Sequence, residues 1–202
     1  LIKDLNVTHY RFSLEWSRIE PEMGTWNQDA IDWYSDLVDQ LLHNGIQPMV
    51  TLHHFTNPLW WEDLGAFEDE ANILYWIRFC SKMFEVMSDR VEWWCTINEP
   101  AVYASMGYVL GEFPPGERSF KKTRQVSLNL MRAHARCYRT LKSMEHGGTR
   151  KIGLVKNINL FDPYRRWNPL HRFQAKLLDG MFNRCWIDGL KTGRFKPPSA
   201  MR

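Results

Sequence analysis

Gln47-Pro48-Met49-Val50-Thr51-Leu52-His53-His54-Phe55 places apolar side chains on both faces of one short run, through Met49, Val50 and Leu52. A strand that is apolar on both faces is buried on both, which is the habit of parallel sheets covered by helices. Upstream, Asp29 is placed to cap a helix with the apolar stripe Ile31, Tyr34, Leu37, Val38, Leu41 and Leu42, and Gly45 closes it as a left-handed cap. Before that helix, His9 to Trp16 alternates: Tyr10, Phe12, Leu14 and Trp16 lie on one face, and Arg11, Ser13 and Glu15 on the other. That period of two predicts a strand. Leu1 to Leu5 reads as the last turn of a helix cut off at its start.

Downstream the pattern repeats. A helix is predicted over Ile73 to Met87, a strand over Val91 to Ile97, and then a long loop carrying Gly107, Gly111 and Pro114-Pro115-Gly116. Ser127 is placed to cap a further helix, Lys151 to Leu160 reads as a fourth strand, and Leu170 to Leu190 as a helix ended by Gly193 and Pro197-Pro198. Strand and helix alternate four times with no hairpin signal, so an α/β fold with a parallel sheet and right-handed crossovers is expected. An open doubly wound sheet and part of a (β/α)8 barrel both fit. A doubly wound nucleotide-binding fold wants a glycine-rich turn after an early strand, and the sequence has none. A whole barrel needs eight strands and about 250 residues, so on the barrel reading these 202 residues are a fragment.

The composition narrows the function classes. An apolar share of 44 % with 24 % charged residues is that of a globular chain with a sizeable core. No apolar run approaches the length of a membrane span. The net charge of +3 is scattered, with only Lys121-Lys122 and Arg165-Arg166 adjacent. That is too thin for a nucleic-acid footprint. The ten tryptophans are unusual. They either line a polar groove, where flat rings stack on the C–H faces of sugars, or fill a large core. Cys80, Cys95, Cys137 and Cys185 show no CxxC spacing. Cys80 and Cys137, among apolar residues of predicted helices, read as buried thiols, and a reducing compartment, the cytoplasm, is expected rather than a metal cluster or a disulfide framework.

In both architectures functional groups gather beyond the C-terminal ends of the strands. Those ends carry Glu15-Trp16, His53-His54-Phe55, Asn98-Glu99-Pro100 and Asn157-Ile158-Asn159. Amides and imidazoles bond hydroxyls and a carboxyl moves protons, which suits a carbohydrate pocket. Asn98 and Glu99 can serve one pocket only if the strand ends or bulges there, as Pro100 favours. Adjacent strand residues diverge, so His53 and His54 cannot chelate one ion and no metal site is expected. Arg11 on an inward polar face needs a carboxylate partner; on an exposed strand it pairs with Glu15 at the surface.

These segments together resemble family 1 glycoside hydrolases, the β-glucosidase family. Tyr10-Arg11-Phe12-Ser13-Leu14-Glu15-Trp16-Ser17-Arg18-Ile19 is similar to the family's second-strand signature, and Val50-Thr51-Leu52-His53-His54-Phe55 to its third. Thr96-Ile97-Asn98-Glu99-Pro100 resembles its acid/base motif, and Lys151-Ile152-Gly153-Leu154-Val155 its fifth strand. The resemblance implies one partial (β/α)8 barrel domain over residues 1–202, holding strands 2 to 5 and lacking strand 1 and strands 6 to 8. It implies hydrolysis of β-glycosides with retention, without metal or organic cofactor. Glu99 would be the general acid/base, Asn98 and His54 would hold sugar hydroxyls, and Arg11 would support the nucleophile. The sequence departs from the family at Phe55, where many members have Trp, and at Thr56-Asn57-Pro58, where Asp-Leu-Pro is common. The family's nucleophile belongs to a later Thr-Glu-Asn-Gly segment that these residues do not contain, so the chain by itself is expected to be inactive. Glucosides, galactosides and 6-phospho-glycosides stay open as substrates. The alternative is an inactive, glycosidase-like domain that binds sugar or protein.

Overall fold

The computed structural model describes residues 2–196 and divides them between two units. The first takes in the chain up to Asn98 together with Arg132–Val155. It holds a four-stranded sheet in the order β1 (His9–Ser13), β2 (Gln47–His53), β3 (Trp93–Asn98) and β4 (Lys151–Val155). Every pairing is parallel, with His9 opposite Gln47, Met49 opposite Trp93 and Trp93 opposite Lys151. The strands follow one another round the sheet in chain order, so no topological switch point of the doubly wound kind occurs among them. Pro48, Val50, Thr51, Leu52 and His53 of β2 are all buried, as expected of a strand covered on both faces.

The helices of this unit are α1 (Trp16–Ile19), α2 (Gln28–His43), α3 (Leu59–Asp63) and α4 (Ile73–Met87). The predicted first strand stops three residues early. The chain turns into α1 because Trp16 and Ile19, three apart on a helix, both bury, and the amide of Glu15 donates to the Tyr34 hydroxyl at 2.9 Å. Asn27, not Asp29, caps α2, its Oδ1 accepting from the Ala30 amide at 3.1 Å. Asp29 lies in the first turn, where its charge still suits the helix N-terminus. Gly45 follows α2 at φ +74°, the left-handed exit the sequence predicts. The opening residues form a single 3-10 turn, Lys3–Leu5.

Four of the ten tryptophans go to the core of this unit. Trp16, Trp61, Trp76 and Trp94 are buried, and Trp16 lies 4.7 Å from Trp61 and 5.0 Å from Phe79, centre to centre. Three of these indoles find acceptors: Trp16 donates to Glu20, Trp61 to the Asn72 carbonyl and Trp94 to the Val91 carbonyl. Truncating such a side chain to Ala typically costs about 3–5 kcal/mol. Cys80 and Cys137 are buried neighbours, and burial pushes the Cys80 thiol well up.

The second unit takes in Glu99–Met131 and the chain from Lys156 on. The stretch read as a long loop begins instead with α5 (Pro100–Ser105) and a π-turn, Met106–Leu110, closed by Gly111 at φ +67°. Helix α6 (Phe120–Ser143) starts well before the expected cap: Ser119 accepts from Thr123 N at 2.9 Å, and Ser127 is buried inside the helix. Residues 156–160 do not continue β4; the backbone N–H and C=O of Asn159 pair with the Asn183 side chain. The last predicted helix is α7 (Pro169–Asp179), a π-turn Gly180–Arg184 and α8 (Cys185–Thr192), and Gly193 at φ +68° ends it. Pro197-Pro198 lies outside the described residues. No helix of the described residues is long and apolar enough to cross a membrane.

Candidate functional site

The C-terminal ends of the strands in the first unit carry a set of tied polar groups. Arg11, on β1, donates from Nη1 to Oδ1 of Asn98, the last residue of β3, at 3.0 Å. Asn98 is only 2 % exposed, and with its oxygen engaged the amide NH2 is the part left to donate. Arg11 itself is exposed and bonds an amide, so it takes neither partner the sequence offered. Glu15 is not its mate. The chain has already left the strand at Glu15, whose carboxylate accepts from Ser17 Oγ at 2.6 Å and Thr56 Oγ1 at 2.9 Å.

The adjacent histidines separate as strand geometry requires. His53, the last residue of β2, is buried, and its Nε2 lies 2.8 Å from Asn57 Oδ1. That oxygen can only accept, so Nε2 carries the proton. Burial pulls His53 down to about 4, against the smaller upward pull of the Asn57 bond, so the ring is neutral at physiological pH. Asn57 in turn donates to Glu62 at 2.5 Å, and burial raises the Glu62 carboxyl. Thr56 and Asn57, two of the residues that depart from the family pattern, are thus both built into the hydrogen bonding around β2. His54 is half-buried, its Nδ1 2.7 Å from Ser13 Oγ, which leaves Nε2 as the nitrogen at the ring's far end. Ser13 as the residue that orients His54 was not singled out from sequence; its place two residues beyond Arg11 on the same face was the available signal.

Glu99 opens the second unit and is half-buried. Its backbone is left-handed, φ 41° and ψ 61°, and its carbonyl accepts from Val102 and Tyr103 as α5 begins. The register of β3 against β4 shifts between Cys95 and Asn98, so the strand both bulges and ends at this motif, as Pro100 led one to expect. Phe55 after β2 is likewise left-handed, φ 73°. A non-glycine residue held there costs of order 1–3 kcal/mol, and such positions cluster at functional sites. The Glu99 carboxylate makes no hydrogen bond to another described residue, which leaves both oxygens for a ligand. Among the described residues no group of three or more His, Cys, Asp or Glu could hold a metal ion.

Known proteins resemble this chain in sequence and in fold. The sequence profile of Glycosyl hydrolase family 1 matches residues 1–201. A cytosolic β-glucosidase of Homo sapiens is 44 % identical over 146 residues, 71 % of this chain and 31 % of the relative. A 6-phospho-β-galactosidase of Clostridium acetobutylicum is 38 % identical across 96 % of this chain and 40 % of its own. Among solved structures, a β-glycosidase from Pyrococcus horikoshii superimposes with TM-score 0.90 at 38 % identity, over 98 % of this chain and 45 % of that one. A β-glucosidase from Thermotoga maritima in complex with glucoimidazole gives 0.89 at 29 % identity, over 99 % and 48 %. The chain spans less than half the length of each of these relatives.

Proposed function

The chain belongs to Glycosyl hydrolase family 1, and from that premise we propose that it is the acid/base-bearing part of a retaining β-glycosidase. Its four parallel strands, alternating with helices, are part of the (β/α)8 barrel of the relatives. The observation that carries the reading is the intact Thr96-Ile97-Asn98-Glu99-Pro100 motif at the mouth of β3, with Glu99 turned out of the strand by its left-handed backbone.

In this reading the Glu99 carboxylic acid protonates the glycosidic oxygen as the bond to the sugar breaks. In the second step its carboxylate takes a proton from the water that attacks the glycosyl-enzyme. Asn98 gives its NH2 to the sugar 2-hydroxyl, because Arg11 already holds its oxygen. A contact of that kind strengthens as the transition state forms. His54, oriented by Ser13, offers Nε2 to another hydroxyl of the same ring. Arg11 keeps a neighbouring nucleophile ionised by its charge. The nucleophile must lie about 5 Å from the acid/base, and no second carboxylate of the 202 residues carries the Thr-Glu-Asn-Gly motif. The 202 residues alone are therefore expected not to turn over. β-Linked glycosides are the substrate class, with glucosides and 6-phospho-glycosides both represented among the relatives. A relative that is cytosolic and four buried thiols support a reducing compartment.

The test is Glu99→Gln in the full-length protein. Loss of a general acid predicts a fall of about 10²–10⁴ in kcat on a β-linked disaccharide. A dinitrophenyl β-glycoside, whose leaving group needs no proton, should lose far less in the glycosylation step. Equal disaccharide rates for variant and wild type would overturn the assignment. Wild type that binds sugar without hydrolysing any β-glycoside would favour a binding domain instead.

A further inference from the structure

Thr96 stands two residues before Asn98, and on a regular strand the two would share a face. They do not. Thr96 is buried and meets the helix layer: its hydroxyl lies 2.8 Å from Nδ1 of His134, on α6. Asn98 meets Arg11 at 3.0 Å. Arg11 lies on the face of β1 turned away from the helices, since its neighbour Phe12 stacks on Tyr34 of α2, 6.3 Å between centres. The chain therefore rotates between Thr96 and Asn98, and the pairing with β4 shows where. Cys95 is opposite Gly153 and Asn98 opposite Val155, so Thr96 and Ile97 together face Leu154, a bulge of one extra residue on β3. Against β2 the same stretch stays regular, with Cys95 opposite Thr51 and Ile97 opposite His53. At the bulge the Thr96 hydroxyl donates to the Gly153 carbonyl at 3.1 Å. With its one proton spent there, it accepts from Nδ1–H of His134. Burial draws His134 down to about 4, so the ring that makes this bond is neutral at physiological pH.

We propose that Thr96 is a positioning residue for Asn98: its hydroxyl, held between His134 and the Gly153 carbonyl, pins the bulge that turns the Asn98 amide to the face of Arg11. The inference rests on Asn98 as the ligand of the sugar 2-hydroxyl and adds what holds that amide in place. A change of phase by one residue moves a side chain to the other face of its strand. Without the bulge Asn98 would follow Thr96 toward the helices, and Arg11 would lose its acceptor. A bulge leaves one residue out of the ladder, and a hydroxyl bonded on both sides offsets part of that cost. Arg11 fixes the amide itself, through one bond from a long, exposed side chain. Thr96 fixes the backbone that carries the amide, from a buried position.

The experiment uses the full-length protein as wild type, Thr96→Val, Thr96→Ser, Asn98→Ala and the double variant Thr96→Val/Asn98→Ala. Each is assayed on a dinitrophenyl β-glycoside and on its 2-deoxy analogue, which has no hydroxyl for Asn98 to hold. Thr96→Val keeps the volume and removes the hydroxyl, so a threonine that merely fills space would be replaced without loss. It is expected to lower kcat/KM on the glycoside by about ten-fold and to leave the 2-deoxy analogue within about two-fold of wild type. Thr96→Ser, which keeps the hydroxyl, should recover most of the loss. The double variant should lose no more than Asn98→Ala alone, because the two residues act as a unit. His134→Leu should act in the same sense as Thr96→Val, and equal rates for His134→Leu and wild type would strike the histidine from the proposal. Equal losses on the two substrates, a loss that adds to that of Asn98→Ala, or a Thr96→Val protein as active as wild type overturns it. An Asn98→Ala protein that treats both substrates alike, or a wild type without hydrolysis, sinks the reading of Asn98 instead. The crystal structure of Thr96→Val then decides Thr96 without turnover. The β3–β4 register is expected to change and the Arg11–Asn98 bond to be lost, and a variant that keeps both overturns the proposal.

Discussion

The strand ends of the first unit and the opening of the second treat their polar groups in opposite ways. Arg11 holds Asn98, Ser13 holds His54, and Ser17 and Thr56 hold Glu15, each through a bond of 2.6–3.0 Å. Glu99, one residue beyond Asn98, bonds none of the described side chains. The difference fits the work proposed for each group. Residues that recognise hydroxyls must stand in fixed places before the substrate arrives, and mutual hydrogen bonds set that geometry when the chain folds. A group that must release and retake a proton is served poorly by fixed donors, which would hold it in one protonation state.

The comparison can be broken first at Asn98. Asn98→Ala in the full-length protein should lower kcat/KM on β-glycosides by about 10²-fold or more, since contacts to the 2-hydroxyl supply several kcal/mol in the transition state. A loss below about three-fold would mean that the Arg11–Asn98 tie serves folding rather than the sugar.

A second test concerns acid stability. His53 and His134 are both held by burial at about 4, below their ordinary 6.5. Between those values the unfolded chain binds protons that the folded chain refuses. Stability is therefore full above about pH 6.5 and falls as pH drops toward 4, by up to about 3 kcal/mol for a fully buried ring. Urea midpoints at pH 7 and at about pH 4.5 should show the loss, and His53→Gln should flatten it. An unchanged pH dependence in His53→Gln would remove His53 from the account.

The smallest effects sharpen the division of labour. His54→Ala should reduce kcat/KM by about ten-fold or more, whereas Ser13→Ala, which removes one neutral hydrogen bond worth about 0.5–1.5 kcal/mol, should cost only a few-fold. If the two variants lose equally, Ser13 does more than orient the ring and itself meets the substrate.

Much of the fold was legible because it is periodic. The four strands and the helices over 28–43 and 73–87 were read from alternation and apolar stripes, with ends displaced by a few residues. The candidate site was legible as far as its residues form a motif, which is how Arg11, His54, Asn98 and Glu99 enter it. Their partners were not. Ser13 and Asn57 act through neighbours on another strand or across a turn, and sequence spacing carries no record of those contacts. KIGLVKNINL reads as one strand, whereas the strand stops at Val155.

The sequence by itself determined a parallel α/β sheet, the family, and the motif to which we assign acid–base chemistry. Those follow from period, composition and short runs, which are local properties of the chain. Only the tertiary structure decided that His53 is buried while His54 faces Ser13, that Arg11 holds an amide instead of Glu15, and that Glu99 leaves its strand in a left-handed backbone. The reason is that a period describes the middle of an element, while function sits at its end. There a single left-handed residue such as Glu99 at φ 41° redirects the chain, and bonds between residues distant in sequence choose where each side chain points.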